Sequence, residues 1–573
     1  MGSWVTELLT IASFFGMVGF AAHQFAIKME DALLWVVAVV TGLLFAASFT
    51  PAYGLVVWVI WGVGLGLLGV VAIRSARTFA HPGFWGPLVA LLILSVLLSQ
   101  SRLIHYDNFS HWALTTKIIT VRLRLPIEAD QLITHSAYPL GTALFSSFMT
   151  ITSGMKDSML IRANVVMYLA SLAVFFRLRS KHVGLVLVSV TAGSIWAVAL
   201  RISPSDLLVD MLLAFVFLAA WVMVIHEENV KNSWMTLMPI LFFLTMMKST
   251  GFMMAVVLGG IFWWRWVNQK QKGSLRPLWV LIVPLVTQFL IGLSASLRYT
   301  DVITSKHAFT VEWLSEMMAL KSADQIRTIV MALADAWMSD TFVVALMVTY
   351  GVILVVLWRK RAFRWPVVLR WLTPLLTYMI YQSGILLMYL YSMPIGEAVR
   401  LAGYFRYRST GVAIMVFMVL FDLITDVQLN STSHKSRQSW MVMAALIAMV
   451  YIAQPVNAWG WLRKDYTTAA IVKFERLVQN QPITASDQIL IYVTPEDAQY
   501  VTLVARYYFL SPTIKYLTRE TLETFSDWAM FDVLVVYDPD DYIGRWLSQC
   551  LNLDEPRAVI PLNTTIPTAC IQP

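Results

Sequence analysis

Apolar runs recur along this chain, and most are about as long as the hydrocarbon core of a bilayer is thick. FWGPLVALLILSVLLS (84–99) is one of them. A core about 30 Å deep takes about 20 residues of helix, and inside it every backbone amide must find its partner within the segment. Repeated runs of about 17–25 apolar residues therefore commit a chain to a bundle of membrane helices. About fourteen such segments are expected, near 4–27, 32–50, 54–73, 84–100, 158–176, 183–199, 206–225, 233–247, 250–267, 277–295, 341–358, 366–390, 409–425 and 439–457. Only 13% of the 573 residues are charged and 58% are hydrophobic, a balance that a soluble core of this size would struggle to bury. The 23 tryptophans suit belts at the two membrane surfaces.

The net charge of +8 belongs to topology. Lys and Arg gather in short loops beside spans, as RSAR (74–77), RLRSKH (177–182), WRWVNQKQKGSLR (264–276), WRKRAFR (358–364) and HKSRQ (434–438). The positive-inside rule places all five in the cytoplasm, so the charge implies no nucleic-acid partner. Both termini and the loop 101–157 then face outward, in a multi-pass protein of the cell membrane. The start MGSWVTELLT has no basic region or evident cleavage site, so no removable signal peptide is expected. YPLGTALFSSFMTITSG (138–154) is expected to lie as a helix in the outer interface, because counting it as a span would move RLRSKH outside.

The outward loops carry the chemistry. HYDNFSHWALTTK (105–117) sets Asp107 and His111 four apart, on one face of any helix there, with Lys117 following. RISPSDLLVD (201–210) offers Asp206, which is also placed to cap the next helix. LTMMKSTGFMMA (244–255) breaks two apolar halves at Lys248. EAVRLAGYFRYRST (397–410) supplies Arg400, Arg406 and Arg408. The loop after 295 adds Asp301, Lys306, His307, Glu312, Glu316 and Asp324. Ionisable groups at the mouths of spans are functional candidates. Asp107 suits a general base for an incoming hydroxyl, and His111, Lys117 and Asp206 suit substrate contact. Lys248, Arg400, Arg406 and Arg408 suit a phosphate, which arginine grips with two parallel hydrogen bonds. The structural alternatives are a solvated or capping Asp107, a capping Asp206 and a snorkelling Lys248.

At these residues the sequence resembles the GT-C superfamily of membrane glycosyltransferases, near its protein-mannosyltransferase and aminoarabinose-transferase branches. Asp107 matches the catalytic Asp near the start of the family's first external loop. Tyr138-Pro139-Leu140-Gly141 stands where a proline motif opens a helix. Lys248-Ser249-Thr250-Gly251 matches in part a Lys-Glu-Thr-Gly-like break, and Arg406-Tyr407 an Arg-Tyr pair opening a late span. The resemblance covers roughly 84–425. It implies transfer of a sugar from a polyprenyl-phosphate-linked donor to a cell-envelope glycan, lipid or protein acceptor on the outer face. No cofactor is implied. The first loop lacks an Asp-x-Asp, which argues against a metal site, yet a divalent metal stays open. The alternatives are a polytopic transporter or flippase for lipid-linked glycans, and a polysaccharide polymerase or ligase. A transporter would be expected to show internal repeats and charges near the midplane.

After about Trp459 the composition turns polar. QILIYV (488–493) and FDVLVVYD (531–538) read as buried strands, and 466–479 and 497–509 as helices. The expected plan is mostly α: N-terminal spans 1–83, a GT-C-like catalytic region 84–457, and a small extracytoplasmic α/β domain 458–573. Asp538-Pro539-Asp540-Asp541 reads as a turn or a cation site. Cys550 and Cys570 both fall in this tail, and two cysteines do not decide whether they pair.

Overall fold

The computed structural model describes residues 3–177, 206–300, 311–429 and 466–562, with interruptions at 76–78, 80, 134, 226, 228–229, 270–275, 341–342, 345–346, 349–350, 352–354, 356–358, 360–364, 485, 523, 552 and 554–557. The protein is mostly helical with a small sheet at its C-terminal end. The helices used below are α1 (Ser3–Gln24), α2 (Met29–Ala47), α3 (Tyr53–Arg74), α4 (Pro82–Leu97), α5 (Ala113–Arg122), α6 (Gly141–Ser153), α7 (Asp157–Leu172), α8 (Val209–Ile225), α9 (Val230–Met247), α10 (Ser249–Asn268), α11 (Arg276–Ser296), α12 (Val311–Ala319), α13 (Ala323–Met338), α14 (Trp365–Tyr391) and α15 (Tyr404–Leu429). Eleven of the fourteen expected segments coincide with these helices, and the segments 183–199, 341–358 and 439–457 fall wholly or mostly outside the described residues. Among the described residues, five helices are long and apolar enough to cross a membrane: Trp4–Gln24, Met29–Ala47, Tyr53–Arg74, Ser249–Asn268 and Pro277–Ser296. Among the shorter apolar ones is Val209–Ile225. Its residues are buried almost throughout, which suits a helix apolar on every face.

The helical body has two chemically distinct ends. At one, Lys28 Nζ meets Glu227 Oε2 at 2.7 Å and Arg177 Nε donates to Asp31 Oδ1 at 2.8 Å. Arg265 donates there to the carbonyls of Val224 and Glu227. This end joins the start of α2 to the far ends of α7, α8 and α10. At the other end stand Asp107, Asp210, Lys248 and Arg406. The first turn of α7 lies at that second end too, where Asp157 accepts from Tyr507 and pairs with Arg102. α4 therefore arrives at, and α7 leaves from, the same end, and α5 and α6 sit between them without crossing.

α6 has 13 residues and extends only about 20 Å at 1.5 Å per residue, too short to span. All of its residues but Ile151 are buried, among α1, α2, α3, α5, α7 and α9. Its hydroxyls are polar without being exposed. Ser147 Oγ bonds Tyr53 OH at 2.6 Å, Thr152 accepts from Thr10 at 3.0 Å, and Thr150 bonds Thr120 at 2.6 Å.

The C-terminal part of the chain forms a four-stranded sheet in the order β2-β1-β3-β4. Its strands are β1 (Ile489–Tyr492), β2 (Ile514–Leu517), β3 (Val533–Val536) and β4 (Val559–Pro561). β1 pairs in parallel with β2 and with β3, while β4 runs antiparallel to β3. β1 and β3 are buried at every position, as expected of central parallel strands covered on both faces. Helices α16 (Ala470–Val478), α17 (Ala498–Phe509) and α18 (Asp541–Leu551) pack around the sheet. Cys550 is disulfide-bonded.

α17 also docks the domain on the helical body. Tyr500 OH donates to the Ile104 carbonyl at 2.8 Å, Tyr507 OH to Asp157 at 3.1 Å, and Lys117 Nζ to the Tyr507 and Tyr508 carbonyls at 2.9 Å each. Arg102 pairs with Glu475 on the domain side.

Candidate functional site between the helical body and the C-terminal domain

HYDNFSHW folds as a short π-helix, Asn108–Trp112, that runs into α5. Such wide turns are uncommon and recur at functional sites. Here the turn points Phe109 into the domain interface, 5.8 Å and 5.3 Å from the Tyr500 and Tyr507 rings, while Asp107, Ser110 and His111 face a cavity. The Asp107 amide donates to His105 Nδ1 at 3.1 Å, which fixes the start of the turn.

Lys248 sits in extended backbone between α9 and α10. The turn requires Gly251, since a Cβ there would lie 2.0 Å from the Leu244 carbonyl oxygen. Arg406 follows a second sharp turn through Leu401 at φ +49° and Gly403 at φ +74°. At Gly403 a side chain would be strained and would also press on the Tyr407 ring at 3.2 Å.

These elements and α8 enclose a cavity of about 810 Å³, roofed by Gln499, Thr502, Leu503 and Arg506 of α17 and by Tyr516 of β2. One ionic web runs along its floor. Arg406 Nη1 donates to Asp107 Oδ2 at 2.6 Å, and Arg406 Nε lies 3.1 Å from Asp210 Oδ2. Lys248 Nζ donates to Asp210 Oδ1 at 2.5 Å. The Lys248 ammonium also stands 4.6 Å from the centre of the Tyr407 ring. Every hydrogen bond and ion pair of the Asp107 carboxylate among the described residues falls on Oδ2, and the residue lines the cavity. His111 is buried beside Tyr138 and His135, with ring centres 4.6 Å and 6.0 Å away.

Asp107, His111, Lys248 and Arg406 are thus brought together as expected. Four others are not. Lys117 belongs to a second cavity of about 350 Å³, with Arg102, Asp157 and Glu475, where the domain docks. Burial lowers the Lys117 ammonium to about 8, against the pull of Asp157 and Glu475. Asp206 does not line the main cavity; Asp210, one helical turn later, does. Arg408 turns away to pair with Asp340, and Arg400 is exposed off the cavity. The expected cationic cradle is in fact charge-balanced, because Lys248 and Arg406 are already answered by Asp210 and Asp107.

Asp210, Tyr138, Tyr407, Gln499 and Arg506 are lining residues that sequence reasoning did not assign as site residues. Asp210 closes RISPSDLLVD, and a helical repeat counted from the start of α8 would have found it. Arg506 carries no local signal, for its approach to the site spans about 400 residues of chain and exists only in the folded protein. Among the described residues no group of three or more His, Cys, Asp or Glu is arranged to hold a metal. In the C-terminal domain, Asp538 pairs with Lys473 and accepts from Thr494, while Asp540 caps α18 by accepting from the Ile543 amide at 2.7 Å. The acidic run is a turn and a cap.

Beside the main cavity lies an apolar groove between α10 and α14, lined by Met253, Met254, Val257, Ile380, Ile385 and Met388, among others. Tyr407 borders both. No protein-family model matches the chain, and no curated protein matches it.

Proposed function

We propose that this chain is a membrane glycosyltransferase of the GT-C type. It transfers a sugar from a polyprenyl-phosphate-linked donor to a cell-envelope acceptor on the outer face of a cell membrane. One observation carries the reading: a polar chamber lined by Asp107, whose hydrogen bond and ion pairs fall on one carboxylate oxygen, adjoins, across Tyr407, an apolar groove between two helices of the bundle. That pairing fits a ligand with a charged, hydroxyl-rich head and a long hydrocarbon tail. The disulfide at Cys550 supports an oxidising, outward location for the domain that roofs the chamber.

In this reading Asp107 Oδ1 takes the proton of the acceptor hydroxyl as its oxygen bonds the anomeric carbon. The carbon–oxygen bond to phosphate breaks, the phosphate keeps the electron pair, and the configuration inverts. A hydroxyl is a weak nucleophile until its proton has a destination, and a placed base contributes about 10²–10⁴-fold. Arg406 is a positioning residue that holds Asp107 by Oδ2 and so aims Oδ1. Lys248 and Asp210 brace Arg406 from below. His111, fixed among Tyr138 and His135, contacts the sugar or acceptor.

The experiment is release of polyprenyl phosphate from polyprenyl-phosphate sugars by the purified chain, supplied with envelope glycan as acceptor. Release coupled to product formation is expected. Movement of intact lipid-linked glycan across vesicles, with no release, would instead assign the transporter reading.

A further inference from the structure

The cations of the main cavity are not equivalent. Lys248 and Arg406 have carboxylate partners. Arg506, reaching in from the C-terminal domain, has none among the described residues. Among the described residues its one hydrogen bond runs from Nη2 to the Ile514 carbonyl at 3.4 Å, and its Nε is buried without a partner. A guanidinium carries five donors, so most of its capacity is unspent. Burial pushes Arg506 below its ordinary value, with no neighbouring charge to oppose the shift. Partly desolvating a cation without a counter-ion is unfavourable, and an arriving oxyanion would relieve it.

The surroundings fit an oxyanion. Gln499, Thr502 and Arg506 recur at three- and four-residue spacing, so they share the face of α17 that roofs the cavity. Gln499 is held by a hydrogen bond with Tyr106, one residue before the candidate base. Opposite them Lys248 and Arg406 are paired with Asp210 and Asp107, and Glu397 adds a further carboxylate to the lining.

We propose that Arg506, with Gln499, forms an anion subsite in the roof that takes a phosphate group of the bound substrate. The C-terminal domain is then part of the binding site. The inference deepens the transfer reading and rests on it for the assignment of that phosphate to a lipid-linked donor.

The test is binding of polyprenyl phosphate, with neutral polyprenol as control, to the full-length chain in detergent. The wild type should prefer the phosphate. Arg506→Gln should weaken its binding on the order of 10- to 100-fold, the weight of a hydrogen bond to a charged group, and leave polyprenol binding unchanged. Arg506→Lys should lose less, since it keeps the charge but not the fork. Competition by inorganic phosphate supports the subsite with free phosphate as a sufficient occupant; failure to compete supports it with the lipid headgroup. Equal affinity of Arg506→Gln and wild type for polyprenyl phosphate overturns it. A wild type that ignores polyprenyl phosphate defeats the donor reading. Inorganic phosphate and pyrophosphate then decide the subsite: binding lost in Arg506→Gln supports it, and no binding of either anion by the wild type overturns it.

Discussion

Each end of the helical body is organised around an arginine–aspartate pair, and the two pairs differ in what they leave open. Arg177 and Asp31 are 8% and 3% exposed and are closed over by Lys28 and Glu227. Arg406 and Asp107 are 32% and 30% exposed, and both line a cavity. The chemistry of the bond is the same. A closed pair joins helix ends, while an open one presents a reactive group held in a fixed direction. An ion pair in such a bundle points to function only when part of it still faces a ligand-sized space.

The largest contrast between the ends is sidedness. In a chain freed of Cys550 and Cys570, a single cysteine at Gln131 should react with a membrane-impermeant reagent in intact cells and one at Arg359 should not. The reverse pattern would place the cavity in the cytoplasm and remove it from any envelope acceptor.

Next is the cost of breaking each pair. Arg177→Ala strands Asp31 in a buried setting and should destabilise the protein by about 3–5 kcal/mol, read as loss of the folded fraction in detergent on heating. Activity per folded molecule should hold. Arg406→Ala should act in the opposite sense. Asp210 keeps Lys248, the Asp107 pair is half-open, and an exposed pair contributes only about 0–1 kcal/mol, so stability should change little. Turnover should fall about 10- to 100-fold as Asp107 loses the hydrogen bond that aims it. Equal effects of Arg177→Ala and Arg406→Ala on turnover per folded molecule would erase the distinction.

The smallest effect is at the domain contact. Burial lowers Lys117 from 10.5 to about 8 in the folded chain. Between those values the unfolded chain binds the extra proton, so this group makes stability rise with pH across that window. Below about 8 the burial penalty is fully present. Lys117→Met should remove that contribution, and the difference in unfolding free energy between variant and wild type should change with pH between about 8 and 10.5. A pH-independent difference would mean that the ammonium is well solvated and the docking looser than described.

Length and apolar content made the apolar helices legible, because a helix fit for lipid must be long, apolar and internally bonded. Break residues made three of the site positions legible, for Asp107, Lys248 and Arg406 each stand where an apolar segment starts or stops. What was hidden depends on tertiary contact. The packing of α6 was hidden because the sequence shows its hydroxyls and not their partners on α1, α3 and α5. Asp206 drew the eye as a cap while Asp210, a turn deeper, reaches the web. Lys117 sits in a suggestive stretch but on the face of α5 that meets α17. β2 escaped notice because IKYL is short and shows two buried and two exposed residues without strict alternation.

The central claim is that Oδ1 of Asp107 receives the acceptor's proton. Its most direct test is sugar transfer by purified Asp107→Asn, which keeps the size of the side chain and removes its charge. The variant should fold as the wild type does and still bind polyprenyl phosphate, while its turnover falls by about 10²–10⁴-fold. Near-normal turnover in a well-folded Asp107→Asn protein would contradict the account and shift the base to Asp210.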